Sequence, residues 1–355
     1  MSIRENFFNS MMRRGTGFVG YDAYLCPSLF NEFKDRTGRE DYAEYFNFPV
    51  RWLSAKYTGS YDRFFKYHDG LDTGTEINEW GVGYKRGVFK HFARMLHPMA
   101  GFKSIKDYMD YPYPDVVNDY DWSGLQKSTE DVRAKDRIVI AAMQMTVFEC
   151  AWRMRGMEDF MVDMVEEPEI AAFHMDRISA IACEKAGRYA KAGCDVLSLG
   201  DDVATQRGMM LNPVVWRDVL KPRLAAVIKT AKEIKPDMLI FYHSDGNMEE
   251  IIPELIDIGI EILNPVQPEC MDPVKIKKEY GDRLSFWGTL GTQTTMPFGT
   301  PDEVRKTCRK MIREIGKGGG LFLAPTHILE PEVPWENIYA YFETVREYNE
   351  NRRTD

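Results

Sequence analysis

Residues able to hold a metal or move a proton recur just after short apolar runs in the second half of the chain. They are Asp201-Asp202, His243-Ser244-Asp245, Gln267-Pro268-Glu269-Cys270 and Thr326-His327. Three or four N, O or S donors around one point suit Zn²⁺ with a position left open for substrate. The candidate ligands are His243, Asp245, Cys270 and His327, with Glu269 an alternative donor. Asp201, Asp202 and Glu149 are the candidate acids or bases, one of which would hold a ligand imidazole in a single tautomer. Each residue also has a plainer use. A lone strand-end His is commonly hydrogen-bonded filler, and Cys270 alone would be a buried apolar side chain. Asp201-Asp202 could cap the next segment or pair with Arg207, and Asp245-Gly246 could be a turn. Two imidazoles at separate strand ends, His243 and His327, shift the balance toward a site. His174 falls inside a predicted helix over 168–190, and His91 and His97, flanking an apolar loop, are assigned nothing. No GxSxG, HExxH or phosphate-loop order occurs, and the corrinoid-binding signature DxHxxG is absent.

The elements that must carry these residues follow a rhythm. Apolar runs at Arg137–Thr146, Cys194–Asp201, Met238–Gly246, Glu261–Val266, Leu284–Leu290 and Leu321–His327 are brief and continuous, as buried parallel strands are. Helical patterns lie between them, at 168–190, Pro213–Lys235 and Glu249–Ile258. Thr300-Pro301-Asp302-Glu303 is a capping box that opens a helix ending near Ile315. Strand and helix in alternation imply a parallel sheet. Polar residues after strand after strand favour a closed (β/α)8 TIM barrel, where such residues converge at the C-terminal mouth.

The first third differs. Residues 1–120 hold 26 of the 45 Phe, Trp and Tyr, with a hairpin-like stretch at Thr75–Phe92. We therefore read 1–120 as an aromatic-rich cap or extension packed on the barrel, and 121–355 as the main part of the barrel. The aromatic excess either fills the extension's own core or lines an apolar substrate pocket.

Composition bounds the rest. With 46 Lys and Arg against 55 Asp and Glu the net charge is −9, which argues against a nucleic-acid partner. The longest uncharged stretch, 284–301, is broken by Gly and Pro and cannot span a membrane. The opening MSIRENFFNSMMRRG has no apolar core of signal-peptide length, and the six cysteines form no CxxC, so a cytoplasmic location is expected.

From about Met145 to Tyr348 the chain resembles the uroporphyrinogen decarboxylase superfamily. The stretches that carry this are Thr146–Met164, Ala192–Gly208, His243–Gln267, Phe286–Gly299 and Gly318–Asn337. The resemblance implies a (β/α)8 barrel and two chemistries: cofactor-free decarboxylation of porphyrinogen acetates, and zinc-dependent methyl transfer involving a corrinoid protein or a thiol. The decarboxylases carry an Arg-rich RQAGRY-type segment; here only Met12-Arg13-Arg14-Gly15 stands in that region. The methyltransferase branch carries His-x-Cys at the fifth strand and Cys after the eighth as zinc ligands. His243-Ser244-Asp245 and His327 occupy those places, so harder O and N donors replace the thiols.

The reading favoured by this resemblance is a cytoplasmic, zinc-dependent methyltransferase component. It would move a methyl group from a small methylated donor, such as a methyl ether, to cobalamin carried by a separate corrinoid protein. A homodimer built away from the mouth also fits the superfamily. The alternatives are a decarboxylase, with Arg13, Arg14 and Arg207 as its basic groups, and a non-catalytic ligand-binding barrel.

Overall fold

The computed structural model describes residues 1–86 and 93–351. Eight parallel strands form the sheet: β1 (Gly20–Tyr21), β2 (Val50–Leu53), β3 (Ile138–Gln144), β4 (Val196–Gly200), β5 (Leu239–His243), β6 (Ile262–Asn264), β7 (Ser285–Trp287) and β8 (Leu321–Leu323). Their hydrogen-bonded order is β1-β8-β7-β6-β5-β4-β3-β2, the curled parallel order of a (β/α)8 TIM barrel. At the remaining seam, between β1 and β2, the Trp52 indole N–H donates to Asp22 Oδ2 at 3.2 Å. The six apolar runs read from residue 137 onward each contain one strand, β3 to β8.

The barrel interior is filled by inward-facing side chains, among them Val50, Ile138, Val196, Phe241, Trp287 and Phe322. Helix Ile3–Met11 plugs the lower end with Phe7 and Met11. Arg4 seals that end with a two-point bond to buried Asp195, at 2.6 and 2.7 Å. Trp287 stacks on Phe322 with ring centroids 3.4 Å apart. Gly20 permits this: a Cβ there would lie 2.3 Å from the Phe322 ring. Outside the sheet, the capping box at Thr300 and Glu303 opens helix Pro301–Glu314 as the sequence suggested. The 24-residue helix Pro168–Lys191 packs on Lys221–Ile234.

The aromatic residues of the first third serve three ends. Phe33 and Phe46 pack on Trp335 and Phe342 of the last helix, Trp335–Asn351. Phe64, Phe102, Tyr108 and Tyr111 extend the same core over Pro168–Lys191. Tyr24 and Trp52 line a cavity at the mouth. This third also supplies β1 and β2 to the barrel. The hairpin-like stretch is a three-stranded antiparallel sheet of Glu76–Ile77, Gly83–Arg86 and Ala93–Leu96. Residues 87–92, with His91, lie outside the described residues. His97 bonds the Arg153 carbonyl through Nδ1. His174 is a core residue: burial lowers its pKa to about 4, so the neutral ring bonds Tyr113 and the Ala151 carbonyl.

Candidate functional site

The strand ends do converge. Asp202, His243 and Asp245 bring one donor atom each to within 4.8 Å of one another. His243 closes β5, with its backbone paired to Gly200 of β4. A Cβ on Gly200 would sit 2.9 Å from the His243 Cβ, so the glycine makes room for the imidazole. His243 Nδ1 lies 2.6 Å from Asn264 Oδ1 at the end of β6. The Asn264 amide is oriented in turn, because its Nδ2 donates to the Trp287 carbonyl at 2.8 Å. The oxygen must therefore face the imidazole, and His243 Nδ1 must carry the proton. That leaves the Nε2 lone pair aimed at the acidic cluster, 3.8 Å from Asp202 Oδ1.

Asp245 lies between the two histidines. Its N–H donates to Asp202 Oδ1 at 2.7 Å, and its Oδ2 is 3.8 Å from His327 Nε2. Asp245 Oδ1 is buried with no hydrogen-bond partner. Burial raises the Asp245 carboxyl pKa, with Asp202 adding to the rise and the histidines opposing it. Glu149, buried against Arg153, is likewise pushed up by burial and by Asp202. Its Oε2 accepts the Asp202 N–H at 3.3 Å. Carboxylates thus crowd one side of the mouth, where Arg153 pairs with Glu149, an arrangement a divalent ion would relieve. Ligands on a tetrahedral zinc with bonds of about 2.0–2.1 Å stand roughly 3.3 Å apart. Separations of 3.8 Å need only small side-chain movements to reach that.

The other candidates lie differently. Asp201 is fully buried and accepts the backbone N–H groups of Val147 and Glu149, so it caps helix Phe148–Arg155. Burial and the nearby Glu149 raise its pKa well above the usual carboxylate range. Cys270 stands outside the three-residue cluster; its thiol donates to Gln267 Oε1 at 3.4 Å. Burial, Glu269 and Asp245 all raise the thiol's pKa. Glu269 Oε1 accepts the Thr294 hydroxyl at 2.8 Å. Arg13 sits at the opposite end of the barrel, bonded to Ser285 and the Met11 carbonyl.

Beside the cluster, a cavity of about 300 Å³ opens into the mouth. His243, His327, Asn264 and Gln144 supply its polar rim, and Trp52, Phe241, Trp287 and Tyr24 its apolar wall. At its base lies Asp22, only 4% exposed. A cavity of about 230 Å³ at the lower end, near Phe18 and Arg346, adjoins none of these strand ends. Asp22 and Asn264 were not singled out from sequence. Asp22 ends the apolar run Phe18–Tyr21, which a strand-end rule applied to the first third would have caught. Asn264 is a polar residue inside an apolar run, followed by Pro265.

Comparison with known proteins follows this geometry. The family model "Uroporphyrinogen decarboxylase (URO-D)" matches residues 99–348. A uroporphyrinogen decarboxylase of Chlorobium phaeobacteroides is 27% identical over 189 residues, covering 52% of this chain and 51% of its own. The methylcobamide:CoM methyltransferase MtaA of Methanosarcina barkeri is 25% identical over 193 residues, covering 54% and 53%. The chain thus spans about half the length of the curated relatives it matches. A solved methyltransferase from Methanosarcina mazei superposes with a TM-score of 0.71 at 18% identity, covering 98% of this chain and 99% of its own, a likeness of fold. Among the described residues no helix is long and apolar enough to cross a membrane. The match across most of the chain, on an eight-stranded parallel barrel, makes this protein a member of the uroporphyrinogen decarboxylase family.

Proposed function

We propose that the protein is the metal-dependent component of a methyl-transfer system, taking a methyl group from a small donor and passing it to cobalamin on a separate corrinoid protein. The observation that carries this reading is the His243 imidazole, fixed by Asn264 with its free Nε2 facing Asp202 and Asp245. His243, Asp245 and Asp202 would hold the ion, and His327 stands close enough to Asp245 to join them. Cys270 is not needed, and Asp202 moves from the acid–base group into the ligand set. A zinc ion there would supply Lewis-acid polarisation of the donor heteroatom. Glu149 and Arg153 position Asp202 through its backbone N–H. The cavity wall excludes water and leaves the mouth open to a partner. The similarity to a methylcobamide-handling enzyme supports a corrinoid partner.

No Lys or Arg lines the cavity among the described residues, and Arg13 is at the far end; both facts weigh against a polycarboxylate tetrapyrrole. The test is to present zinc-loaded protein with cob(I)alamin and a panel of methoxy, methylamino and methylthio donors. Methylation of the corrinoid by wild type, lost in His243→Ala and after chelation, is expected. Carbon dioxide release from a porphyrinogen without metal, or no transfer above background from any donor, would overturn the reading.

A further inference from the structure

Among the described residues lining the cavity, Asp22 is the one carboxyl. It directly follows β1, lines the same cavity as His243 and His327, and takes no part in the proposed ligand set. Its oxygens accept the indole N–H groups of Trp52 at 3.2 Å and Trp287 at 3.3 Å. These are long bonds from neutral donors, and the surface beside them is aromatic. Trp52, Phe241 and Trp287 meet edge to face, with ring centroids 5.4–6.1 Å apart and interplanar angles of 76–86°. With their planes mutually steep, the three rings make an apolar corner of the cavity wall rather than a flat face.

Resting on the methyl-transfer reading above, we propose that Asp22 is the proton donor to the leaving oxygen of an uncharged methyl ether whose apolar body packs into the Trp52–Phe241–Trp287 corner. A neutral donor fits the apolar corner, and a cationic one would sit against the ion that the rim would hold. A methyl ether has no proton of its own, so its oxygen can only accept a hydrogen bond. Loss of the methyl group leaves that oxygen with the electron pair of the broken C–O bond. The methyl carbon bonds to a reduced cobalt(I) acceptor, which is oxidised by two electrons. The oxygen takes the Asp22 proton, and the resulting carboxylate regains one from solvent.

The burial of Asp22 makes the acid form available. Its pKa is raised from 3.8 to about 7 by desolvation, against which the two indole bonds pull only weakly. The titratable groups around it are the phenols of Tyr24, Tyr42 and Tyr341, with His243 and His327 across the cavity. None is a fixed cation that would hold Asp22 ionised.

The test is ligand binding by the full chain, with anisole as probe and tryptophan fluorescence as readout. It needs neither corrinoid nor turnover. A group titrating near 7 is mostly protonated at about pH 6 and only about 3% protonated at about pH 8.5, so wild type should bind anisole roughly 30-fold more weakly at the higher pH. Asp22→Asn keeps an N–H donor and should bind at both with little difference. Difference infrared spectra of wild type should show the protonated-carboxyl stretch shifting when anisole binds. Wild-type binding that ignores pH, no anisole binding at all, or an Asp22→Asn response as steep as wild type would overturn the proposal. So would tetramethylammonium binding that tightens at the higher pH and is lost in Asp22→Asn, which would make Asp22 an anionic cation site. Failure of corrinoid methylation beside pH-dependent anisole binding would sink the methyl-transfer reading and leave Asp22 as a proton-sharing ligand group.

Discussion

Replacing Asn264 with Ala should weaken metal binding without touching any proposed ligand. The side chain makes two bonds: it accepts the His243 Nδ1–H at 2.6 Å and donates to the Trp287 carbonyl at 2.8 Å. Removing it frees the imidazole to rotate or to take the other tautomer. Loss of such an outer partner typically costs about 10–100-fold in metal affinity, or roughly 1.4–2.7 kcal/mol. Two partners, the partly exposed His243 ring and the buried Trp287 carbonyl, also lose their bonds, at about 1–2 kcal/mol each, so stability should fall by roughly 2–4 kcal/mol. Asn264→Asp keeps the acceptor and should retain most of the affinity. The assay is competition for zinc against a chromophoric chelator near neutral pH, with thermal unfolding run in parallel to confirm that each variant is folded. Unchanged affinity in folded Asn264→Ala would show that His243 is not held for a metal.

Other perturbations separate the residues by role. Cys270→Ala should leave zinc stoichiometry unchanged, whereas Asp202→Ala should lower affinity at least about tenfold; the same competition assay reads both. Asp201→Ala removes the acceptor of two backbone N–H groups and should cost about 2–4 kcal/mol in chemical denaturation, with zinc affinity little changed in the folded protein. Asp22 has the opposite signature. Its folded pKa, raised from 3.8 to about 7, means the folded state holds a proton that the unfolded state releases across that window. Its contribution is fully present below pH 3.8 and is lost as pH rises through 7, by about 4 kcal/mol at most. Asp22→Asn should therefore gain stability relative to wild type between about pH 4 and 7, read by denaturation at stepped pH.

Much of this was legible in the sequence because buried parallel strands write themselves as short apolar runs. β3 to β8 sit inside the runs read for them, and the polar residues after those runs gather at the mouth. Two strands were not legible for a physical reason: β1 is two residues long and β2 is half-buried, so neither gives a continuous apolar signal. Asp22, which follows the first of them, went unread with it. Side-chain roles were less legible than positions. Asp201 and Asp202 are adjacent, yet alternation along an extended chain sends one carboxylate into the helix cap and the other toward His243. Cys270 lies near the mouth, but its thiol is taken up by Gln267 three residues earlier.

X-ray absorption at the zinc edge, on full-length protein loaded with one equivalent of zinc, tests the ion site most directly. A shell of nitrogen and oxygen at about 2.0–2.2 Å, with imidazole scattering and no sulfur, is expected. A sulfur shell at about 2.3 Å would put Cys270 or another thiol on the metal, and failure to retain the ion would remove the site altogether.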